Sequence, residues 1–495
     1  MFRISAVVAV VVCMVCGAAP SIAEVRHPNI VILFADDMGY GDLASYGHPY
    51  IRTPHLDELA RQGQRWTDFY VAAPVCSPSR GALLTGKLPN RTGLYGRRIN
   101  VMFPNDTIGI PAHEVTLAEA LKAQGYASAI IGKWHLGDAV EAYPTRHGFD
   151  YWYGLPYSND MDWVGVKNFD DLMALAAQGK MEELQEEITQ RQSKYFAPKL
   201  EYWNVPLIRS RATRSGFEDE IVERPARQQT LTQRYTSEAV GFIEAHESQP
   251  FLLYVPYTMP HTPLFRSKAF TDQSLGGRYG DVIEEIDWSV GEIVKTLTKL
   301  NLDDNTLVVF TSDNGPWLTM DQHGGSAGLL KHGKGTTFEG GMRVPAIFWW
   351  PGKIEPAVIS DIGSTLDIYA TASSLAGVLQ QQSTDSFDLS DALLSASPSP
   401  RTMLAYYRGG ELRAFRQGSY KLHLISEGAY RQPPLRTEHE NPVLHHLPSD
   451  PSERFDIAAR HPEVVADILR AIDEHKAAMT EKPPIFDQRL SVDSN

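Results

Sequence analysis

Four runs dense in Val, Ile, Leu and Phe each break off into polar residues of unusual type: NIVILFADD ends at Asp37, ASAIIGKWH at His135, FLLYVPYTMPH at His261 and TLVVFTSDN at Asn314. A strand that is apolar at every position, rather than at every second one, has both faces covered, which marks a parallel sheet. Stretches of helical character at 56–62, 116–124, 232–246 and 280–300 lie between the runs. The alternation predicts an α/β fold with a mostly parallel sheet and helices on both faces. Ligands of such sheets bind beyond the carboxyl ends of the strands. Asp36, Asp37, Lys133, His135, His261, Asp313 and Asn314 are therefore expected to meet in one crevice, although they are far apart in sequence.

At 495 residues the chain exceeds the size at which one core stops growing, so two domains are expected. Residues 1–23 carry Arg3, an apolar run at 6–15 and the small residues Ser21 and Ala23. This reads as a cleaved secretory signal that is too short to span a membrane. The mature protein is expected to be exported, periplasmic or secreted, with no membrane span. Loss of Arg3 takes the formal net charge from −14 to −15. That balance argues against nucleic acid as a partner, since phosphate backbones need basic clusters. An anionic substrate would need a local positive pocket instead.

The polar, charge-dense stretch 161–225 reads as an insertion with a helix at 170–191 and no strong strand. It either walls the pocket or is a solvated excursion. Residues 365–376 are helix-like, and the segment 378–400, rich in Gln, Ser, Asp and Pro, marks a boundary. The expected domains are 24–385 and 386–495. In the second, 412–425 reads as two strands about a turn at Gln417 to Ser419, and 461–479 as a closing amphipathic helix. This is a small α+β domain with an antiparallel sheet.

Cys13 and Cys16 leave with the signal, so Cys76 is the single cysteine of the mature chain. It has no partner for an internal disulfide, and chemistry becomes the leading explanation. PVCSPSRGALLTG, from Pro74 to Gly86, sets it at a turn running into a helix, where backbone N–H groups and the dipole favour a sulfate or phosphate group. Blander readings exist for each residue alone. A lone buried Cys packs as a small hydrophobe, Asp36 and Asp37 could cap a helix, and Asn314 with Gly315 could form a turn. Paired polar residues at two separate strand ends weigh against the last two, and the helix context of Cys76 against the first.

PVCSPSRGALLTG and GYASAIIGKWH, with ADDMGYGD, SDNGP and GKGTTFEGGMRVP, resemble the signatures of the type I sulfatase family, which is formylglycine-dependent. LPYSND and GGSAGLLKHGKGTTFEGGMR look most like its arylsulfatase A and N-acetylgalactosamine-6-sulfatase branch. The match runs in order from Asn29 to Pro345, with an echo in DPSERFDIA. The resemblance implies an alkaline-phosphatase-like domain that hydrolyses sulfate monoesters. It implies that a maturation enzyme converts Cys76 to formylglycine (3-oxoalanine), whose hydrate attacks sulfur through one hydroxyl and expels sulfate through the other. It also implies Ca²⁺, with Mg²⁺ as the lesser alternative, at Asp36, Asp37, Asp313, Asn314 and the modified Cys76. Hard oxygen donors suit either ion.

Carried over position by position, Arg80 resembles the residue that holds the hydrated aldehyde, and Lys133 and Lys334 those that neutralise sulfate oxygens. His135 resembles the acceptor of the hydrate proton, His261 the acid that protonates the leaving alcohol or phenol, and Ser158 a sulfate-contacting serine. His323 and His332 stay outside this core set. The implied substrates are aryl sulfates in assay and a sulfated small molecule or glycan in nature. Two other readings compete: a phosphate or phosphonate monoester hydrolase with the same site, and an inactive sulfoglycan-binding protein.

Overall fold

In strand β1 (Asn29–Ala35), Ile30, Ile32 and Phe34 enter one hydrophobic core while Val31, Leu33 and Ala35 enter another. Both faces are covered, which is why the run lacks polar alternation. The structure, a computed structural model, describes residues 27–379 and 383–492, and the expected signal at 1–23 lies outside them. The sheet continues through β2 (Gln64–Tyr70), β3 (Ala127–Ile131), β4 (Tyr151–Gly154), β5 (Leu207–Thr213), β6 (Gly216–Glu223), β7 (Phe251–Pro256), β8 (Thr306–Ser312), β9 (Arg343–Trp349) and β10 (Ala357–Ser364).

The strand order is β10-β2-β9-β8-β1-β7-β3-β4-β5-β6. The central strands β8, β1, β7, β3 and β4 run parallel, whereas β9, β5 and β6 pair antiparallel to their neighbours. The four apolar runs are β1, β3, β7 and β8. They are contiguous in the sheet, so their carboxyl ends form one rim. The expected helices stand at Pro54–Gln62, Leu117–Lys122, Leu231–Ala245 and Gly277–Lys299. Among the described residues no helix is long and apolar enough to cross a membrane.

The insertion differs from its sequence reading in two ways. The single helix at 170–191 is two helices, Phe169–Ala177 and Met181–Phe196, because Gly179 takes a φ of 70° and ends the first. The insertion also contains β5 and β6, where no strong strand was expected. β6 reads GFEDEIVE and is exposed over most of its length; a charged edge strand lacks the apolar run that betrays a buried one. The segment 378–400 is likewise more than a connector. It holds the short helix Ser390–Leu394, and Gln64 Nε2 donates to the carbonyls of Ala392 and Leu393.

The second sheet, β11 (Met403–Arg408), β12 (Glu411–Gln417), β13 (Tyr420–Ser426) and β14 (Thr437–His446), is antiparallel throughout. The helix Pro462–Ala478 packs Ile468 and Ile472 against Phe415 and Leu422 of this sheet. Asp487, further along the tail, accepts the backbone N–H groups of Arg97, Arg98 and Ile99 at 2.9, 3.1 and 3.0 Å. Arg489 pairs with Asp106 and Asp170 at 2.6 and 2.7 Å.

A buried ionic cluster joins the two sheets. Lys421 Nζ lies 3.0 Å from Glu339 and 2.8 Å from Glu453, and it donates to the Thr337 carbonyl at 2.9 Å. Glu453, from DPSERFDIA, accepts the Glu339 N–H at 2.7 Å and lies 2.6 Å from His423 Nε2. Removing one member of a buried pair costs ~3 kcal/mol or more, so Glu453→Gln is expected to lower the unfolding midpoint. Burial pushes the Glu453 carboxyl up, but the Lys421 ammonium and His423 override it and hold the group well below the usual range. A depressed carboxylate stabilises the fold above its unfolded pKa and loses that contribution as pH falls through the folded value. Thermal scans should therefore show the full gap between wild type and Glu453→Gln above about pH 5, shrinking as pH drops below about 4.

Candidate active site

Each strand of the rim delivers a different functional group. Lys133 and His135 follow β3 through Gly132, whose φ of 142° and 1.9 Å clearance between an added Cβ and the Pro256 carbonyl admit only glycine. Asp36 and Asp37 follow β1, His261 follows β7, and Asp313 and Asn314 follow β8. Cys76 opens the helix Cys76–Thr85, with Val75 extended before it. Asp37 and His135 both hold left-handed backbone, at φ 67° and 61°. Such strain concentrates at functional sites.

The Cys76 thiol points at Asp36 Oδ1, 3.4 Å away, and lies 3.9 Å from Asp37 Oδ1. Burial, and then the Asp313 carboxylate, push the thiol well above its ordinary value, so it is protonated and unreactive as it stands. Arg80 spans the site. Its Nε and Nη2 donate to Asp313 Oδ2 at 3.0 and 2.8 Å, its Nη1 to the Lys133 carbonyl at 2.9 Å, and Nη2 also lies 3.5 Å from Asp36. Lys133 Nζ bridges Asp36 Oδ2 at 2.5 Å and Ser158 Oγ at 3.0 Å. Lys334 Nζ donates to Asp37 Oδ2 at 2.8 Å, and Asn314 Nδ2 to Asp37 Oδ1 at 2.7 Å.

The three acids respond differently to this field. Burial raises Asp36, but the Lys133 and Arg80 cations outweigh it and hold the carboxyl well below the usual range. Asp37 is raised by burial in spite of Lys334. Asp313 is pushed to about 7, by burial and then by the charge of Asp36, against the pull of Arg80.

Both histidines are neutral, since burial pushes each well down, reinforced at His135 by Lys133 and at His261 by Lys334. His261 Nδ1 lies 2.5 Å from the Thr262 carbonyl, which assigns the proton to Nδ1 and leaves Nε2 bare, 3.3 Å from Ser158 Oγ and 3.6 Å from Asp37 Oδ2. His135 donates from Nε2 to the Met102 carbonyl at 2.9 Å, and its Nδ1 has no hydrogen-bond partner among the described residues. Ser77, inside CSPSR, holds the Met102 N–H at 3.1 Å and so fixes the support of His135.

Direct contacts thus link Cys76, Arg80, Lys133, Ser158, His261, Lys334, Asp36, Asp37, Asp313 and Asn314, while His135 sits beside them without a hydrogen bond to the carboxylates. Asp36, Asp37, Cys76 and His261 each offer a ligating atom within 4.8 Å of the others, a cluster that could hold a metal ion. Asn314 Oδ1, buried and without a partner among the described residues, adds a further oxygen donor. Asp313 is occupied differently: Oδ2 by Arg80 and Oδ1 by the Asp37 N–H at 3.0 Å. The oxygen-rich donor set fits a hard divalent cation. Three carboxylates balance three cations here, so such an ion would give the pocket the positive charge an anionic ester needs. Of the residues outside the core set, His323 packs on Phe196 and His332 on Phe338.

Sequence reasoning missed Trp317, whose ring lies 5.3 Å from that of His261, and Tyr430, 5.3 Å further on. Trp317 follows SDNGP directly, so the strand-end rule could have found it. Tyr430 lies in the small domain, remote from every motif, and carried no signal.

Acids, cations and histidines gathered at the carboxyl rim of an alkaline-phosphatase-like sheet define a hydrolytic enzyme for anionic esters. Residues 28–378 match the family described as Sulfatase, and 399–494 the C-terminal region of aryl-sulfatase. The chain belongs to the sulfatase family and is a sulfuric ester hydrolase. It is 39% identical to arylsulfatase A of Bos taurus, over 92% of this chain and 88% of that protein. It is 38% identical to N-acetylgalactosamine-6-sulfatase of Sus scrofa, over 93% and 88%. The crystal structure of the PsFucS1 sulfatase from Pseudoalteromonas sp. superposes with a TM-score of 0.78 at 28% identity, covering 91% of this chain and 90% of that one.

Proposed function

We propose that the chain cleaves sulfate monoesters with a formylglycine made from Cys76 by a maturation enzyme, and that Ca²⁺ occupies the acidic cluster. The observation that carries the reading is the convergence of Cys76 with three buried carboxylates and three buried cations at one rim. A hydrated aldehyde at this position would supply the nucleophilic hydroxyl that a protonated thiol lacks. Asp36, Asp37, Asn314 and Asp313 would hold the ion, which polarises the ester.

The remaining roles belong to the chain itself. Arg80 orients the modified side chain, and Lys133, Lys334 and Ser158 receive the sulfate oxygens. The bare Nδ1 of His135 accepts the proton released as sulfate departs. Nε2 of His261, bare in the resting site, takes up a proton when an anionic ester sits beside it and passes that proton to the leaving oxygen, a contribution of roughly 10²- to 10⁴-fold. The natural substrate is a sulfated carbohydrate, which the activity named for the N-acetylgalactosamine-6-sulfatase relative supports. Export after removal of 1–23 and a division at 385/386 belong to the same proposal.

Phosphate esters present nearly the same tetrahedral oxygens, so the decisive comparison is p-nitrophenyl sulfate against p-nitrophenyl phosphate. Sulfate is expected to be turned over the faster. A chelator should remove the activity and added Ca²⁺ restore it. Preference for phosphate would overturn the sulfate assignment, and indifference to chelation would overturn the metal.

A further inference from the structure

Aromatic rings that take no part in the sulfate chemistry line one side of the site. Trp317 stands beside His261, and Lys334 Nζ lies 4.6 Å over its ring. Tyr430 of the small domain continues the row at an interplanar angle of 39°, and Tyr195, at the end of the insertion helix Met181–Phe196, meets Trp317 edge-on at 6.2 Å. Three remote segments converge next to the residue placed to protonate the leaving oxygen. Tyr430 is 43% exposed and holds φ 51°, and Arg431 after it holds φ 65°. Left-handed backbone at such residues is strained and is retained at ligand clamps.

Polar groups flank the rings. Trp317 Nε1, a buried donor, has no hydrogen-bond partner among the described residues, and Asp160, within hydrogen-bonding reach of Ser158, accepts the Tyr195 hydroxyl through Oδ2 at 2.8 Å. An unpaired donor of this kind marks where water or a hydroxylated ligand belongs. A cavity that Tyr430 also lines is bordered by Asn90, Asn100 and Arg408.

We propose that Trp317 and Tyr430 form the platform for the leaving group, and that this group is the ring of a sulfated sugar, stacked on the aromatic faces with its hydroxyls toward the flanking polar atoms. The proposal rests on the sulfatase reading above. A simple aryl ring has no hydroxyls for those polar atoms and so is not held in register over the platform, and sites built for hydroxyls discriminate against ligands without them.

The test measures kcat and KM on p-nitrophenyl sulfate and on monosulfates of N-acetylgalactosamine, galactose, glucosamine and fucose. For the sugar sulfates the wild type turns over, Tyr430→Leu is expected to lower kcat/KM about tenfold relative to the aryl sulfate, mainly through KM. Tyr430→Phe should stay within about threefold of wild type. Phe455→Ala, at a 63% exposed aromatic elsewhere in the small domain, should alter neither. Equal losses on both substrate classes, failure of Phe to rescue, or the same loss in Phe455→Ala would overturn the platform. A wild type active on the aryl sulfate but on none of the sugars overturns the sugar platform and leaves the sulfatase reading standing; inactivity on all five overturns both.

Discussion

Cys76→Ala is expected to lower kcat on an aryl sulfate by ~10⁴-fold or more, as removal of a nucleophile does elsewhere, while the protein remains folded. The stability cost should be small. Cys76 contributes one small side chain, and the carboxylates it faces keep stronger partners: Asp36 has Lys133, and Asp37 has Lys334 and Asn314. Deleting a single buried sulfur leaves a cavity worth ~1–2 kcal/mol. Mass spectrometry of the peptide spanning residue 76 supplies the companion measurement. An intact thiol in fully active protein would end the formylglycine mechanism.

Arg80→Met should act on the fold as well as on turnover. The guanidinium is fully buried and satisfies Asp313 twice, Asp36 once and the Lys133 carbonyl once. Methionine restores most of the volume but strands the carboxylates, and an uncompensated buried charge costs ~3–5 kcal/mol. Part of that cost is relieved if Asp313, already shifted to about 7, takes up a proton. The variant is therefore expected to unfold several degrees below wild type near neutral pH, with a smaller deficit in mild acid, where Asp313 is protonated. A deficit that stays constant with pH would show that Asp313 does not carry the penalty. Arg80→Lys should not rescue, since an ammonium cannot reproduce the planar fork.

The centre of the fold was legible because its strands obey one simple rule. β1, β3, β7 and β8 are covered on both faces, so their apolar runs stand out, and the polar residues that end each run fall at the rim by topology alone. The edge hairpin of β5 and β6 was invisible for the opposite reason. β6 carries Glu218, Asp219 and Glu220 in succession, exposed on both sides of the strand, which read as an excursion. Within the site, residues tied to strand ends could be placed from sequence. The ionic cluster of Glu339, Lys421 and Glu453 could not, because its members come from segments joined only by the docking of the two sheets. Tyr430 was hidden in the same way, since nothing local to its loop signals what the ring will face.

The fold-back of the tail makes the active site depend on residues 481–489. Asp487 and Arg489 pin both flanks of the segment 97–106, and the carbonyl of Met102, between those flanks, steadies the His135 ring. Clipping that hasp would leave Met102 hanging on Ser77 alone while the great sheet stayed standing, so a nick between 481 and 489 is expected to slow turnover before it lowers the unfolding midpoint.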